Sequence, residues 1–180
     1  SEEQCLEISA MLKSFHGRHP KIAASAFIED SAQVVGDVVV GEHSSIWFNA
    51  VVRGDVHSVR IGAETNIQDN CVLHGYKGKH PVLLGDRVTV AHAAVLHGCT
   101  IEDDCLIGIG AIVMNGVSVG AGSIIGAGAL VTEGMQVPAG SVYAGRPARL
   151  HRSATDADRA MIAIHAANYV SYKDQYLALP

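Results

Sequence analysis

The sequence predicts a mainly β fold: a parallel β-helix of hexapeptide repeats, closed by a C-terminal α-helix. Three observations carry this. An aliphatic residue returns every six positions over most of the chain, the fifth place of each hexad is slim, and residues 153–178 change to helical spacing. A fixed short period of this kind is the mark of a solenoid and takes precedence over any other pattern.

Residues 1–20 read as an N-terminal extension and lead-in. Met11-Leu12-Lys13-Ser14-Phe15 resembles a natural start, which puts residues 1–10 outside the fold. The repeat occupies residues 21–148. From Ile22 the aliphatic positions are Ile28, Val34, Val40, Ile46 and Val52; after three extra residues the beat resumes at Ile61, Ile67 and Leu73. Five further residues precede Leu84, Val90 and Leu96, and one shortened hexad leads to Ile101 and on, by sixes, to Val137. All 19 marked positions are Ile, Leu or Val, types that make up roughly a quarter of the chain. Fifth places such as Ala32, Val38, Ala50, Val56, Cys71, Ala94 and Ala111 are expected to point inward beside them. Gly, Asp and Asn fill the places between, where a tight corner needs positive φ. Three hexads make one triangular coil, and parallel pairing stacks coils roughly 4.8 Å apart, giving about six coils.

Residues 149–180 form the C-terminal helical segment. Ala157, Met161, Ile164, His165, Asn168, Tyr169, Tyr172 and Tyr176 fall at three- and four-residue steps and predict one buried helix face. Thr155 with Asp158 predicts a capping box with Asp in place of Glu. Such a stripe must pack along its own prism or a neighbour's.

Composition narrows the function. The chain has 180 residues, 48% hydrophobic, 17% charged and nine aromatic, with 19 glycines. A disordered chain needs more charge and fewer apolar residues. The formal net charge of −5 and the lack of a basic stripe argue against a nucleic-acid partner. No apolar run is long enough to span a bilayer and no secretory signal opens the chain, so the expectation is a cytoplasmic protein with no membrane partner. Cys5, Cys71, Cys99 and Cys105 show no CxxC pair and read as free thiols of a reducing compartment.

Three of the ten histidines have geometry fixed by the repeat. His74 and His97 both occupy place two of their hexads, on one face in adjacent coils. His92 occupies place three of the Val90 hexad, on the preceding face. Two stacked imidazoles converge easily on one metal; a third from another side of the triangle does not. In a trimer, however, His74 and His97 of one chain could meet His92 of its neighbour. Three imidazoles with an open fourth position is a catalytic zinc arrangement. The other reading is three hydrogen-bonded histidines on polar prism faces. His16, His19, His43, His57, His80, His151 and His165 show no evident partner.

Val52-Arg53-Gly54-Asp55, Asn66-Ile67-Gln68-Asp69-Asn70, Val72-Leu73-His74, Val90-Ala91-His92 and Leu96-His97-Gly98-Cys99 together resemble the γ-class carbonic anhydrases, from about Met11 to Arg149. The ordered histidines with Arg-x-Asp and Gln-Asp are specific; the hexad alone is shared with acyltransferases. The resemblance implies a left-handed helix, an exception to the right-handed crossover rule, and a homotrimer binding metal between subunits. It implies Zn2+, with Fe2+ or Co2+ suiting the same ligands. It implies an interchain Arg53–Asp55 salt bridge, a Gln68 hydrogen bond to hydroxide or substrate, and an interface role for Asp69. Arg53 shares the face of His74 and His97 one coil earlier, and Asp69 shares that of His92 one coil below.

The implied reaction is reversible hydration of CO2 to bicarbonate, a water's pKa being lowered from 15.7 to about 7 by a three-histidine metal. Here the sequence departs from the founding pattern. Val56 replaces the acid expected after Arg-x-Asp, and the loop Gly75-Tyr76-Lys77-Gly78-Lys79 contains no carboxylate. His57, His80 and Tyr143 are the substitute candidates for carrying the proton. Thioester hydrolysis, hexapeptide acyl transfer from acyl-CoA, or a metal-stabilised trimer without catalysis are the alternative functions.

Overall fold

The computed structural model describes residues 11–179 as a left-handed parallel β-helix of about seven turns followed by one helix. The marked aliphatic positions stack in three columns. The first runs from Leu12 through Val34, Val52 and Leu73 to Leu96, Val113 and Val131. The second begins at Ile22 and ends at Val137. The third begins at Ile28 and ends on Tyr143. The solenoid is thus longer than the nineteen hexads suggest, because Leu12 and Tyr143 complete the outer turns in place of regular repeat residues.

The core is this stack. Ile67, Leu73, Val90, Leu96, Ile107, Val113 and Ile125 are fully buried, while Leu12, Ile22, Ile28 and Tyr143, at the two ends of the stack, are partly exposed. Each buried aliphatic side chain contributes about 1.5–3 kcal/mol. Slim neighbours such as Ala32, Ala94 and Ala111 leave room for them. Where the slim place is polar its hydroxyl donates to the next turn: Ser44 Oγ to the Gly62 carbonyl at 2.6 Å, Thr65 Oγ1 to that of Gly85 at 2.8 Å. Corners at Asn49, Asn70 and Gly110 take positive φ, which Asn and Gly bear at least cost.

Val56 corrects one expectation. It is 37% exposed rather than inward-facing. The three residues inserted after Val52 extend the strand Val51–Ile61 around the corner, and Val59, paired with Val38, fills the inward place. All three interruptions of the repeat fall between the first and second columns, at one corner of the prism. Each follows directly on Arg53, His74 or His97.

Strands Ser141–Gly145 and Ala148–Ser153 pair antiparallel and close the last turn. Helix α1, Asp156–Leu177, then returns along the third face. Its capping box is formed as expected, Asp158 N–H donating to Thr155 Oγ1 at 3.2 Å and Thr155 N–H to Asp158 Oδ2 at 2.7 Å. The buried stripe differs from the expected one. Asp158, Ile162, Ala166 and Lys173 are buried, whereas Ile164 is 58% exposed. Apolar residues surround the first half of α1, so spacing alone selects no single face, and the whole Lys173 side chain is buried with its ammonium paired to Asp174. At the aromatic end Tyr169 is partly buried, whereas Tyr172 and Tyr176 remain exposed. Tyr169 and Tyr176 meet Trp47 edge-on at 5.4 and 5.1 Å.

Candidate metal centre

Backbone register builds the site. Arg53 pairs with His74, and His74 with His97, so three successive turns present these side chains outward in one column. The inward residues beside them, Val52, Leu73 and Leu96, are fully buried and anchor each turn. Asp55 lies at the head of the column. Its Oδ2 accepts from Arg53 Nη1 at 2.5 Å, and its Oδ1 lies 2.9 Å from His74 Nε2. Arg53 and Asp55 therefore pair within one chain. Burial alone would raise the Asp55 carboxyl. Hydrogen bonds from Arg53 and His74, the Arg53 charge and the Val56 N–H outweigh it and hold the group below the ordinary carboxylate range.

The other ring nitrogen of His74, Nδ1, lies 3.1 Å from His97 Nε2. Two adjacent ligands of a tetrahedral ion with bonds of 2.0–2.1 Å lie about 3.3 Å apart. The pair therefore has the spacing of two metal ligands, and imidazole nitrogens suit Zn2+, Fe2+ or Co2+. His97 Nδ1 faces Asn115 Oδ1 at 2.7 Å, and Asn115 Nδ2 donates to Glu133 Oε1 at 2.9 Å.

The third histidine is elsewhere. His92 projects from the third face, its side chain 46% exposed, with Nδ1 2.8 Å from Asp69 Oδ2. Gln68 is buried beneath it: Oε1 accepts the His92 backbone N–H at 3.2 Å, and Nε2 donates to Asn66 Oδ1 at 3.0 Å. Among the described residues no three His, Cys, Asp or Glu side chains of one chain converge as a metal site. The structure thus brings together Arg53, Asp55, His74 and His97 as one group, and Gln68, Asp69 and His92 as another.

Between the second group and α1 lies a cleft of about 520 Å3, lined by Gln68, His92, Ile109, Met161, His165 and Tyr169 among others. Burial, and after it the nearby Asp69 charge, pushes the Tyr169 hydroxyl up to about 12, so it stays neutral there. His57 and His80 come to the first group's corner. A Cβ on Gly75 would lie 2.7 Å from His57 Cβ, and one on Gly98 2.8 Å from His80 Cβ. Tyr143 does not come there; it packs at the end of the third column.

Comparison with known proteins decides the family. The chain is 46% identical over 169 residues to the carbonic anhydrase of Geobacillus kaustophilus, covering 94% of this chain and 92% of that one. It is 44% identical to γ carbonic anhydrase 1, mitochondrial, of Arabidopsis thaliana over 93% of this chain. The chain belongs to the γ-class carbonic anhydrase family. It spans 62% of the length of that Arabidopsis relative and 63% of its γ carbonic anhydrase 2. The bacterial transferase hexapeptide model, of six repeats, matches residues 19–54 and 98–133. A Bacillus cereus crystal structure carrying a provisional acetyltransferase label superimposes with a TM-score of 0.92 at 44% identity, covering 94% of this chain and 98% of that one.

Asn115 and Glu133 are contributors that motif reading misses. The signal available in the sequence is their spacing: each lies 18 residues, one full turn, beyond the one before, starting from His97. Cys71, Cys99 and Cys105 are buried, and burial pushes their thiols up to about 11, 12 and 12, so they are inert at neutral pH.

Proposed function

We propose that this γ-class family member hydrates CO2 reversibly to bicarbonate at metal sites shared between the subunits of a cytoplasmic homotrimer. The ligands are His74 and His97 of one chain and His92 of the partner subunit. The observation that carries the reading is the split itself. Two histidines present nitrogens at ligand spacing, and the third in the family's ordered set stands on a different face with its own carboxylate partner. Only a neighbouring chain can complete the set. Three buried free thiols agree with a reducing compartment.

A divalent ion, Zn2+ or alternatively Fe2+ or Co2+, supplies hydroxide at neutral pH by lowering the pKa of a water to about 7. This chain's residues do the rest. Asp55 and Asp69 orient His74 and His92 through their outer nitrogens, the usual support for a ligating imidazole. Gln68, pinned by Asn66 and the His92 backbone, keeps one amide N–H free to donate to an oxygen of CO2 or bicarbonate. The Arg53 guanidinium, 45% exposed beside Asp55, is available to the same anion or to the next subunit.

The test is CO2 hydration and metal content of reconstituted protein. Wild type should hold about one ion per chain, and His74→Ala, His92→Ala and His97→Ala should each lose it with the activity. A His92→Ala protein retaining full metal would refute the shared site. The cleft beside His92 is larger than CO2 requires and mostly apolar, which favours a second reading, hydrolysis or transfer of an acyl thioester. Acyl-CoA turnover by the same preparation without CO2 hydration would establish that reading instead.

A further inference from the structure

We propose that Asn115, oriented by Glu133, selects the tautomer of His97 and so keeps its Nε2 lone pair available to a metal ion. The inference rests on the metal-site reading above and adds two positioning residues to it.

The argument begins at the far end. An ionised carboxylate can only accept hydrogen bonds. Glu133 Oε1 lies 2.9 Å from one terminal atom of the Asn115 amide, so that atom is the donating NH2. The carbonyl end of the amide must then face the other way, where it lies 2.7 Å from His97 Nδ1. A carbonyl oxygen also only accepts, so His97 Nδ1 carries hydrogen. An imidazole that ligates a metal is neutral and has one N–H. His97 Nε2 is therefore the lone-pair nitrogen, and it is the one facing His74 at 3.1 Å.

The backbone holds this relay in place. Gly116 N–H donates to the Gly98 carbonyl at 2.7 Å and Gly134 N–H to that of Asn115 at 2.9 Å, so three consecutive turns put His97, Asn115 and Glu133 at one corner. Space is reserved for the amide. A Cβ on Gly98, whose φ is +58°, would lie 2.6 Å from Asn115 Oδ1. His74 and His92 are supported by carboxylates, whereas His97 is supported by a neutral amide. The amide imposes the tautomer without placing a third anion against the rings.

Two measurements test this. In metal-stripped wild-type protein, at a pH where the His97 ring is neutral, its imidazole 15N shifts should show hydrogen on Nδ1 and none on Nε2. Zinc affinity, read by competition with a chromophoric chelator, should fall about 10–100-fold in Asn115→Leu, the loss typical for an outer support of a metal ligand. Asn115→Asp, which keeps an acceptor toward His97, should bind zinc within about threefold of wild type. Glu133→Gln, which frees the amide to turn, should fall between the two. Hydrogen on Nε2 of the neutral His97 ring in the metal-free protein, or wild-type zinc affinity in Asn115→Leu, would overturn the proposal. The shift measurement needs neither a variant nor a bound ion. It decides the tautomer even if Asn115→Leu fails to fold or if wild type takes up no zinc, the latter being the failure of the metal-site reading.

Discussion

Val56 occupies the place after Asp55, 37% exposed on the outer side of its strand, so a longer side chain there meets solvent rather than the core. A proton generated at the centre has no carboxylate to leave by at this position or in the loop 75–79. Hydration by wild type should therefore be slow in weak buffer and rise with imidazole-type buffer, and Val56→Glu should raise the weak-buffer rate several-fold, short of the roughly 10²–10⁴-fold that a fully positioned proton-transfer group supplies. A wild-type rate already indifferent to buffer would assign the proton to His57 or His80, which border the same corner. Much at this scale was legible beforehand. Counting places in the hexad put Arg53, His74 and His97 in one column and Asp69 under His92, because parallel register converts sequence spacing into position. The same counting turned Val56 inward, since an inserted residue inside a continuous strand shifts the alternation. Asn115 and Glu133 escaped it because a hydrogen-bonded relay depends on where side chains point, not on period.

The elements divide in the same way. Regular turns follow from the repeat, and their stability should too. Truncating a fully enclosed member of the stack, Ile107→Ala, should cost about 2–5 kcal/mol in denaturant unfolding, with the ladder above and below intact. Helix α1 was legible in its extent and its cap but not in its buried side, where Ile162 and Ala166 replace the expected neighbours one position away. A helix carrying apolar residues around its circumference leaves the choice to the surface it meets, here Trp47 and the third face. Its N-terminus carries a pH signature. The Arg152 side chain foremost, then Thr155, hold the Asp158 carboxyl well below the ordinary carboxylate range. A carboxyl depressed in the folded state stabilises it above the unfolded value and loses that contribution as pH falls through the folded one. Asp158→Asn should therefore melt lower than wild type at neutral pH, with the gap closing only under strongly acid conditions. An unchanging gap from pH 7 to pH 2 would show that packing, not charge, makes the difference.

Across the whole molecule, the corner where the repeat breaks is also the corner where His74 and His97 meet. Hexads build a smooth prism; the insertions after Arg53 and His74 lengthen that corner, and the shortened hexad after His97 tightens it. On the proposed reading the molecule carries half of a centre on one face and half on another, which a closed three-fold assembly would join. In solution the protein should have a mass about three times 18.9 kDa by light scattering. The most direct test of the shared centre mixes two defective chains. His92→Ala chains and His74→Ala/His97→Ala chains, each metal-free alone, should on coexpression form mixed trimers in which one interface joins an intact histidine pair to an intact His92. Those trimers should recover about one ion each, with a matching share of activity. Mixed trimers as empty as their parents, beside a fully loaded wild type, would contradict a metal held between subunits.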